Sequence, residues 1–308
     1  MGLSRRYEEE VIMQRTGIIL KSLAGFYYVE DSVTREIVTC RGRGLFRKDG
    51  FILLVGDHVK FDITNDGSGY ITVAETRQNQ LVRPPIANVG KALIVFSAKE
   101  PDFNVKFLDR LLAVIEAKHI EPIILVSKID LLTADEQEIL APLLDYYRQI
   151  SYTVIEISAH TGEGLNKVKE IVGKEIVVVC GQSGVGKSSM LNAIDAELNI
   201  EVNEISKALG RGKHTTRHVE LHKLAGGLVA DTPGFSALDL DELEACDLRE
   251  AFVEFIPAQD ACKFRGCMHM NEPKCAVKAG VDAGDILASR YENYLQLLGE
   301  IQSRKVKY

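Results

Sequence analysis

The chain has 308 residues, of which 46% are hydrophobic and 26% are charged, and its formal net charge is −7. This composition is typical of a soluble globular protein with two or three domains, and the negative charge weighs against a uniformly basic nucleic-acid binder. The sequence has no apolar run of about 18 residues, which excludes a transmembrane helix, and no signal-peptide pattern at its N-terminus. We therefore expect a cytoplasmic protein without a membrane partner.

The N-terminal region is typical of a small β-barrel. Five short segments of nearly alternating hydrophobicity occur between residues 12 and 76, with Gly, Asp and Asn in the gaps. Five strands in so short a stretch suit an OB-fold, although an SH3-like barrel would give almost the same pattern. The strands are expected at residues 16–20, 25–30, 36–41, 58–62 and 70–74.

A basic, glycine-containing stretch at residues 41–48 lies within this region and includes Phe46. It has two interpretations, which the sequence does not separate. One is a solvated loop, and the other is a contact that follows an RNA backbone.

From residue 91 the pattern changes to alternating strands and helices. Near-continuous apolar strands between helical segments predict a mostly parallel sheet that is covered on both faces. Strands are expected at 92–96, 122–126, 152–157, 176–180 and 228–231, and helices at 107–117, 134–147, 165–172 and 188–194. The amphipathic stripe at 286–301 predicts a packed terminal helix. We expect three domains: a barrel at 1–76, an α/β domain at 77–246 and a helical, metal-binding domain at 247–308.

Residues 181–188, GQSGVGKS, have the pattern of a phosphate-binding loop between a strand and a helix. The glycines let backbone N–H groups approach the phosphates, and the following helix N-terminus adds positive potential. Lys187 would reach the β- and γ-phosphates, and Ser188 would bind Mg²⁺. The expected nucleotide contacts are Gly181, Gln182, Ser183, Gly184, Val185, Gly186, Lys187, Ser188 and Ser189.

A second phosphate-side motif, DTPG, begins at Asp231 after an apolar strand. Asp231 would hold Mg²⁺ through water, and the N–H of Gly234 would sense the γ-phosphate. The next residue is Phe235, at a position where many GTPases have a glutamine that orients water. Phenylalanine cannot polarise water, so slow intrinsic turnover and a different catalytic group are expected.

Between these motifs, residues 206–218 form a segment rich in glycine and basic residues. Thr215 or Thr216 could complete the Mg²⁺ shell, and Thr216, which directly precedes an arginine, is preferred. His214 is the nearest candidate for the catalytic group. The simpler alternative is a solvated basic loop.

Residues 127–130, SKID, match the guanine-reading motif NKxD with serine in place of asparagine. The carboxylate of Asp130 can accept the guanine N1–H and amino hydrogens, a pattern that adenine does not offer, and Lys128 would pack over the base. With Ser127 in place of asparagine, one of the contacts that the motif makes would be weaker. The pair Ser158 and Ala159 suits the second base-contact loop. Together these features favour GTP over ATP.

The order of these motifs is unusual because the base reader precedes the phosphate loop. Small GTPases have the phosphate loop first, so the domain is predicted to be circularly permuted. The predicted fold class is therefore an α/β, circularly permuted P-loop GTPase domain with an N-terminal OB-fold-like barrel and a C-terminal helical zinc-binding module.

Three of the six cysteines lie within residues 262–275 and share that stretch with a histidine. Three thiolates and one imidazole suit a closed, structural Zn²⁺ site, one per chain. The alternative is a group of ordinary reduced core cysteines. The predicted ligands are Cys262, Cys267, His269 and Cys275.

Taken together, GQSGVGKS, GRGKHTTR, DTPGF and the cysteine–histidine cluster resemble the bacterial ribosome small-subunit-dependent GTPase A family over essentially the whole chain. The resemblance implies GTP hydrolysis stimulated by the 30S subunit during late maturation. It also implies that the barrel and the zinc module contact rRNA, and that the catalytic histidine lies at the position of His214. Nothing in the sequence calls for more than a monomer.

Two other functions remain open from the residues alone. One is a P-loop ATPase or kinase unrelated to ribosomes, which Asp130 argues against. The chain is also compatible with a nucleotide-gated RNA-binding module without meaningful turnover, which Phe235 would permit.

Overall fold

A computed structural model describes residues 14–44, 46, 50–82, 84–198, 219–231, 240 and 243–304. Contacts divide the chain into two compact units, Met1–Asn88 with Thr215–Leu221, and Val89–His214 with His222–Tyr308. Several predicted site residues lie outside the described part, and for Asp231 the description covers the backbone only. The residues outside it are His214, Thr215, Thr216, Gly234 and Phe235.

The smaller unit contains a closed five-stranded barrel, which confirms the predicted OB-like fold. Its strands pair in the order β1-β2-β3-β5-β4, and β4 returns to pair with β1. The β3–β5 pair is parallel and the other pairs are antiparallel. The strands are β1 (Gln14–Leu23), β2 (Phe26–Asp31), β3 (Ile37–Gly42), β4 (His58–Ile63) and β5 (Gly69–Ala74).

Alternation along the strands fills the barrel with apolar side chains. In β3, Val38 and Cys40 are buried while Ile37, Thr39 and Arg41 face solvent. The period of two therefore separates an interior from an outer face. The sequence patterns did not predict the two-stranded ribbon that follows the barrel, β6 (Gln80–Val82) and β7 (Pro85–Ala87).

The larger unit is built on a sheet whose strand order is β10-β9-β8-β11-β13-β12. The β8–β9, β9–β10, β8–β11 and β11–β13 pairs are all parallel, as the apolar strands predicted. Parallel strands bring their carboxyl ends to one edge, where the nucleotide motifs begin. The strands are β8 (Lys91–Ser97), β9 (Glu121–Ser127), β10 (Thr153–Glu156), β11 (Ile176–Cys180), β12 (Glu220–Leu224) and β13 (Gly227–Asp231).

Four α-helices connect these strands within the described residues, and side chains cap the starts of the first two. The Asn104 side chain accepts a hydrogen bond from the N–H of Phe107. Thr133 and Glu136 form a reciprocal capping box at the start of the next helix, a pairing that satisfies two free backbone donors. The helices are α1 (Val105–Glu116), α2 (Ala134–Gln149), α3 (Leu165–Val172) and α4 (Lys187–Ile194).

The C-terminal region is helical, as predicted, and ends in a packed helix. Its helices are α5 (Ala245–Ala251), α6 (Ile256–Gln259), α7 (Ala276–Ala283) and α8 (Ala288–Gln302). Tyr294, Leu298 and Ile301 of the predicted apolar stripe are buried in α8. The charged residue Arg290 is buried with them, which hydrophobic periodicity could not reveal.

Arg290 is 1% exposed and joins α8 to α1 through an ion pair with Asp109. Its guanidinium donates to Asp109 on α1 at 2.8 Å and makes two bonds of 2.8 Å to Glu254. Asp109 also accepts from the hydroxyl of Tyr147 on α2 and from the amide of Asn293, both at 2.6 Å. One buried carboxylate therefore connects α1, α2 and α8.

Replacing Arg290 with glutamine should lower the free energy of unfolding by about 3–5 kcal/mol, because Asp109 and Glu254 would stay buried without their cation. Arg148→Gln is the matched control, since its side chain is 38% exposed where it pairs with Glu156. That control should cost less than about 1 kcal/mol. Urea unfolding followed by the helical circular dichroism signal measures both. Equal small losses would contradict a stabilising role for the buried network.

Candidate nucleotide site and metal cluster

The predicted phosphate loop connects the end of β11 to the start of α4. Gly181, Gly184 and Gly186 have φ values of 134°, 82° and 92°. A Cβ on Gly181 would lie 2.1 Å from the carbonyl oxygen of Val95, so a larger residue does not fit there. Positive φ values in such a loop turn successive backbone N–H groups toward a common centre that suits an anion.

Lys187, the first residue of α4, lies beneath this loop and is 9% exposed. Its ammonium donates to the carbonyl oxygens of Gly181 at 2.8 Å and Gln182 at 2.5 Å. Burial lowers the pKa of Lys187 to about 8. A polyphosphate beside it would favour the charged form and raise the pKa again. Ser188 is buried next to it, in the position expected of a Mg²⁺ ligand.

Ser127 joins the base-reading segment to the phosphate loop. Its hydroxyl lies 2.5 Å from the carbonyl oxygen of Val185 and 3.1 Å from that of Phe96. A hydroxyl has one proton to donate, and the nearer acceptor is in the phosphate loop. The serine hydroxyl therefore links the two motifs, although serine lacks the side-chain amide of the asparagine in the NKxD motif.

The other two base-reading residues lie just beyond β9. Lys128 has φ 60°, and its ammonium donates to the backbone carbonyl of Glu100. Asp130 is exposed within the short 3₁₀ turn Ile129–Leu131. The carboxylate is thus accessible to a ligand, as its proposed role requires.

The second base-contact loop lies beside the first. The N–H of Ile129 donates to the carbonyl of Ile157 at 3.5 Å. Ser158 is fully buried, and its hydroxyl accepts from the N–H groups of His160 at 3.2 Å and Thr161 at 3.1 Å. The structure therefore brings the Ser158–Ala159 loop to the base-reading segment and gives the serine a loop-shaping role.

The DTPG motif begins at the same edge of the sheet. Asp231 ends β13, which pairs in parallel with β11, the strand that leads into the phosphate loop. The backbone of Asp231 is therefore near the phosphate side.

The segment after β8 was not predicted as part of the site. Lys99 pairs with Glu136 at 2.7 Å, and Glu100 provides the carbonyl that holds Lys128. Its only signal in the sequence is its position after an apolar strand of a parallel sheet, where ligand-contacting loops are expected.

The predicted metal ligands form a compact cluster, since their ligand atoms all lie within 4.8 Å of one another. The sulfurs of Cys262 and Cys275 are 3.9 Å apart, and Nδ1 of His269 is 3.3 Å from the Cys275 sulfur. Tetrahedral Zn²⁺ with bonds of about 2.3 Å to sulfur gives similar ligand separations. Cys267 completes the set, so the four donors fit a metal ion.

Side chains from α8 hold the metal-ligand loop in place. The hydroxyls of Tyr291 and Tyr294 donate to the carbonyls of His269 at 2.6 Å and Met268 at 2.8 Å. Burial lowers the pKa of His269, which favours the neutral imidazole that binds metals. Burial, together with the neighbouring thiols, raises the pKa of Cys267 to about 12, a value that a bound cation would reduce.

Ser127→Ala should weaken GDP binding about fivefold, because a neutral hydrogen bond contributes about 1 kcal/mol and Val185 would lose its partner. Ser127→Thr retains the hydroxyl and should bind GDP nearly as tightly as the natural chain. Titration with a fluorescent GDP measures all three proteins. Unchanged affinity in the alanine variant would exclude the proposed link between the two motifs.

Comparison with known proteins agrees with this geometry. The RsgA GTPase family model matches residues 74–241, and the RsgA N-terminal domain model matches residues 16–71. The Small ribosomal subunit biogenesis GTPase RsgA of Geobacillus sp. (strain WCH70) is 52% identical over 292 residues, which cover 95% of this chain and 99% of the relative. The protein of the same name from Shouchella clausii is 50% identical over 292 residues, with the same 95% and 99% coverage.

Two solved structures share the architecture. YloQ, described as a circularly permuted GTPase, superposes with a TM-score of 0.82 at 40% identity and covers 99% of this chain and 100% of its own. YjeQ from Thermotoga maritima superposes with a TM-score of 0.84 at 34% identity and covers 95% of this chain and 100% of its own. The predicted circularly permuted fold is confirmed, and the chain belongs to the RsgA GTPase family.

Proposed function

We propose that the chain hydrolyses GTP during late maturation of the small (30S) ribosomal subunit, and that the subunit stimulates the hydrolysis. The observation that carries this proposal is the hydrogen bond from Ser127 to Val185, which joins a guanine-reading segment to a phosphate loop in the permuted order. The name shared by the relatives, Small ribosomal subunit biogenesis GTPase, supplies the partner.

In the proposed complex, the accessible carboxylate of Asp130 accepts the guanine N1–H and amino hydrogens. Lys128 packs over the base, and Lys187 contacts the β- and γ-phosphates. The remaining contacts are assigned to Ser127, Ser158, Ala159, Ser189, Thr216, Asp231, Gly234 and the loop from Gly181 to Ser188.

Mg²⁺ is the expected ion of the nucleotide site, where Ser188 and Thr216 would hold it and Asp231 would contact it through water. Bound there, it neutralises charge on the β- and γ-phosphates. His214 is assigned to positioning the attacking water because Phe235 cannot. Cys262, Cys267, His269 and Cys275 are assigned to one structural Zn²⁺, the metal that three thiolates and an imidazole suit best.

The outer face of the barrel supports an RNA partner. The guanidinium of Arg41 lies 4.6 Å from the ring centroid of Phe26, and Tyr70 is 43% exposed beside it. Arg41 and Tyr70 are partners in the β3–β5 register. An exposed ring with an adjacent cation suits stacking on a base and contact with a phosphate.

We assign the three predicted domains, 1–76, 77–246 and 247–308, to an rRNA-contacting barrel, the GTPase and the zinc module. We also expect a cytoplasmic monomer. Among the described residues, no helix is both long and apolar enough to cross a membrane.

GTP hydrolysis should be slow for the purified protein and should rise strongly when small ribosomal subunits are added, with ATP inert in both conditions. Phosphate release under multiple turnover measures this. Lys187→Ala should abolish the stimulated rate, and Asp130→Asn should shift the preference toward xanthosine triphosphate. Equal hydrolysis of ATP would indicate an ATPase or kinase instead. A rate that Lys187→Ala leaves unchanged would indicate an RNA-binding module without its own turnover.

A further inference from the structure

Strands β8 and β9 run parallel, and the residues that follow them lie side by side. Ser97, the last residue of β8, is the register partner of Ser127 in β9. The pairing continues one residue further, because the N–H of Ala98 donates to the carbonyl oxygen of Ser127 at 2.8 Å. The chain after Ala98 therefore leaves the sheet directly beside the base-reading segment.

Residues 98–100, which we call the clamp segment, all contact the chain at or just after the end of β9. Besides the backbone bond just described, the carbonyl of Glu100 accepts from the ammonium of Lys128. The ammonium of Lys99 lies 2.7 Å from Oε1 of Glu136, near the start of α2. An N–H, a side chain and a carbonyl from three consecutive residues thus hold the base-reading segment from one side.

Glu136 connects the clamp segment to the turn that carries Asp130. While Oε1 of Glu136 pairs with Lys99, its Oε2 accepts from the N–H of Thr133 at 2.8 Å. Thr133 caps α2, and it directly follows the residue that ends the 3₁₀ turn Ile129–Leu131. The hydrogen bond from Lys99 is also the main cause that lowers the pKa of Glu136. The ion pair therefore reaches Asp130 through the intervening backbone, without touching it.

The contact between Lys128 and Glu100 joins two residues in the left-handed region. Glu100 has φ 56° and Lys128 has φ 60°. This conformation is unfavourable for residues other than glycine, and it persists where surrounding contacts fix it, often at ligand sites. The backbone on both sides of the contact is thus held in a conformation that the local sequence alone would not favour.

The side chain of Lys128 spans the space between the clamp segment and the phosphate loop. A Cβ placed on Gly186 would lie 4.0 Å from Cε of Lys128 and 3.8 Å from the hydroxyl oxygen of Ser127. The end of the Lys128 stem therefore lies beside the phosphate loop while its ammonium is held by Glu100. A shift of the clamp segment would move the side chain that is expected to pack over the base.

We propose that Lys99 is a positioning residue for guanine recognition and acts through its ion pair with Glu136. The pair holds the turn so that the Asp130 carboxylate meets the guanine N1–H and amino hydrogens together. Hydrogen bonds weaken steeply when donor and acceptor are misaligned, so a small displacement of the turn is costly. Lys99 itself does not contact the nucleotide. The inference rests on the proposed reading of guanine by Asp130 and adds a residue that tunes it.

The test uses the full-length, metal-loaded protein and displacement of a fluorescent GDP by unlabelled GDP and by IDP, whose base lacks the exocyclic amino group. Lys99 and Glu136 are 37% and 38% exposed. Lys99→Gln should weaken GDP binding about two- to fivefold, the range for such partly exposed pairs. IDP should lose less because it cannot make the amino contact, so the ratio of GDP to IDP affinity should fall about twofold. A general loss of folded protein would leave that ratio unchanged.

Three further variants isolate the ion pair. Glu136→Gln removes the charge but keeps the helix cap, since glutamine serves at this position of a capping box as glutamate does. It should reproduce Lys99→Gln, and the double variant should bind GDP no more weakly than either single variant. Lys99→Arg retains the ion pair and should bind like the natural chain. Arg148→Gln breaks ion pairs at the other end of α2, where Arg148 is 38% exposed, and should change neither affinity.

Unchanged GDP affinity in Lys99→Gln, or a loss that leaves the ratio of GDP to IDP affinity unchanged, would overturn the positioning role. So would a double variant whose loss is the product of the two single losses, since the two residues would then act independently. These results would leave guanine reading by Asp130 intact. If the natural chain instead bound ADP as tightly as GDP, the proposed function itself would fail.

Discussion

The buried ion pairs of Arg290 with Asp109 and Glu254 fix where the metal-binding region lies against the α/β sheet. Burying these charged side chains costs hydration free energy, and the ion pairs offset that cost only while all three partners are present. The packing of α8 therefore has one favourable arrangement. The same helix that carries Arg290 also carries Tyr291 and Tyr294, which hold the metal-ligand loop. The position of the metal cluster therefore follows from a single helix and its buried charge.

This anchor constrains how the permuted order can couple nucleotide to partner binding. After β13 the chain passes through DTPG and reaches α5, whose Leu248 and Ala251 are buried. A change at the γ-phosphate cannot swing the whole C-terminal region without exposing Arg290 and its carboxylates. A nucleotide-dependent change is therefore expected to leave α8 fixed.

The anchor also connects to the base-reading side. Asp109 lies on α1, which precedes β9, and Tyr147 lies on α2, which follows the SKID segment. The two helices that flank the predicted guanine-reading segment thus share one buried carboxylate with α8. Circular permutation leaves the phosphate and base motifs adjacent in space, because strand order in the sheet, and not order in the chain, determines which loops meet.

Much of this architecture is predictable from sequence because local rules act there. The phosphate loop needs glycine at Gly181, where Val95 leaves no room for a Cβ, and the metal ligands are recognisable by their chemistry. Periodicity also predicts most strands of both units. It does not predict β12, the β6–β7 ribbon or the buried Arg290, since their stability depends on partners distant in sequence. The role of Ser127 likewise depends on a loop 58 residues away.

The most direct test of nucleotide coupling compares the affinity of small ribosomal subunits for the protein bound to a non-hydrolysable GTP analogue and to GDP. Coupling free energies between sites are typically about 1–3 kcal/mol. The protein bound to the analogue should therefore bind the subunit at least about fivefold more tightly than the protein bound to GDP. Lys187→Ala, which removes the proposed phosphate contact, should abolish the difference. Equal affinity of the natural chain in the two nucleotide states would contradict the coupling.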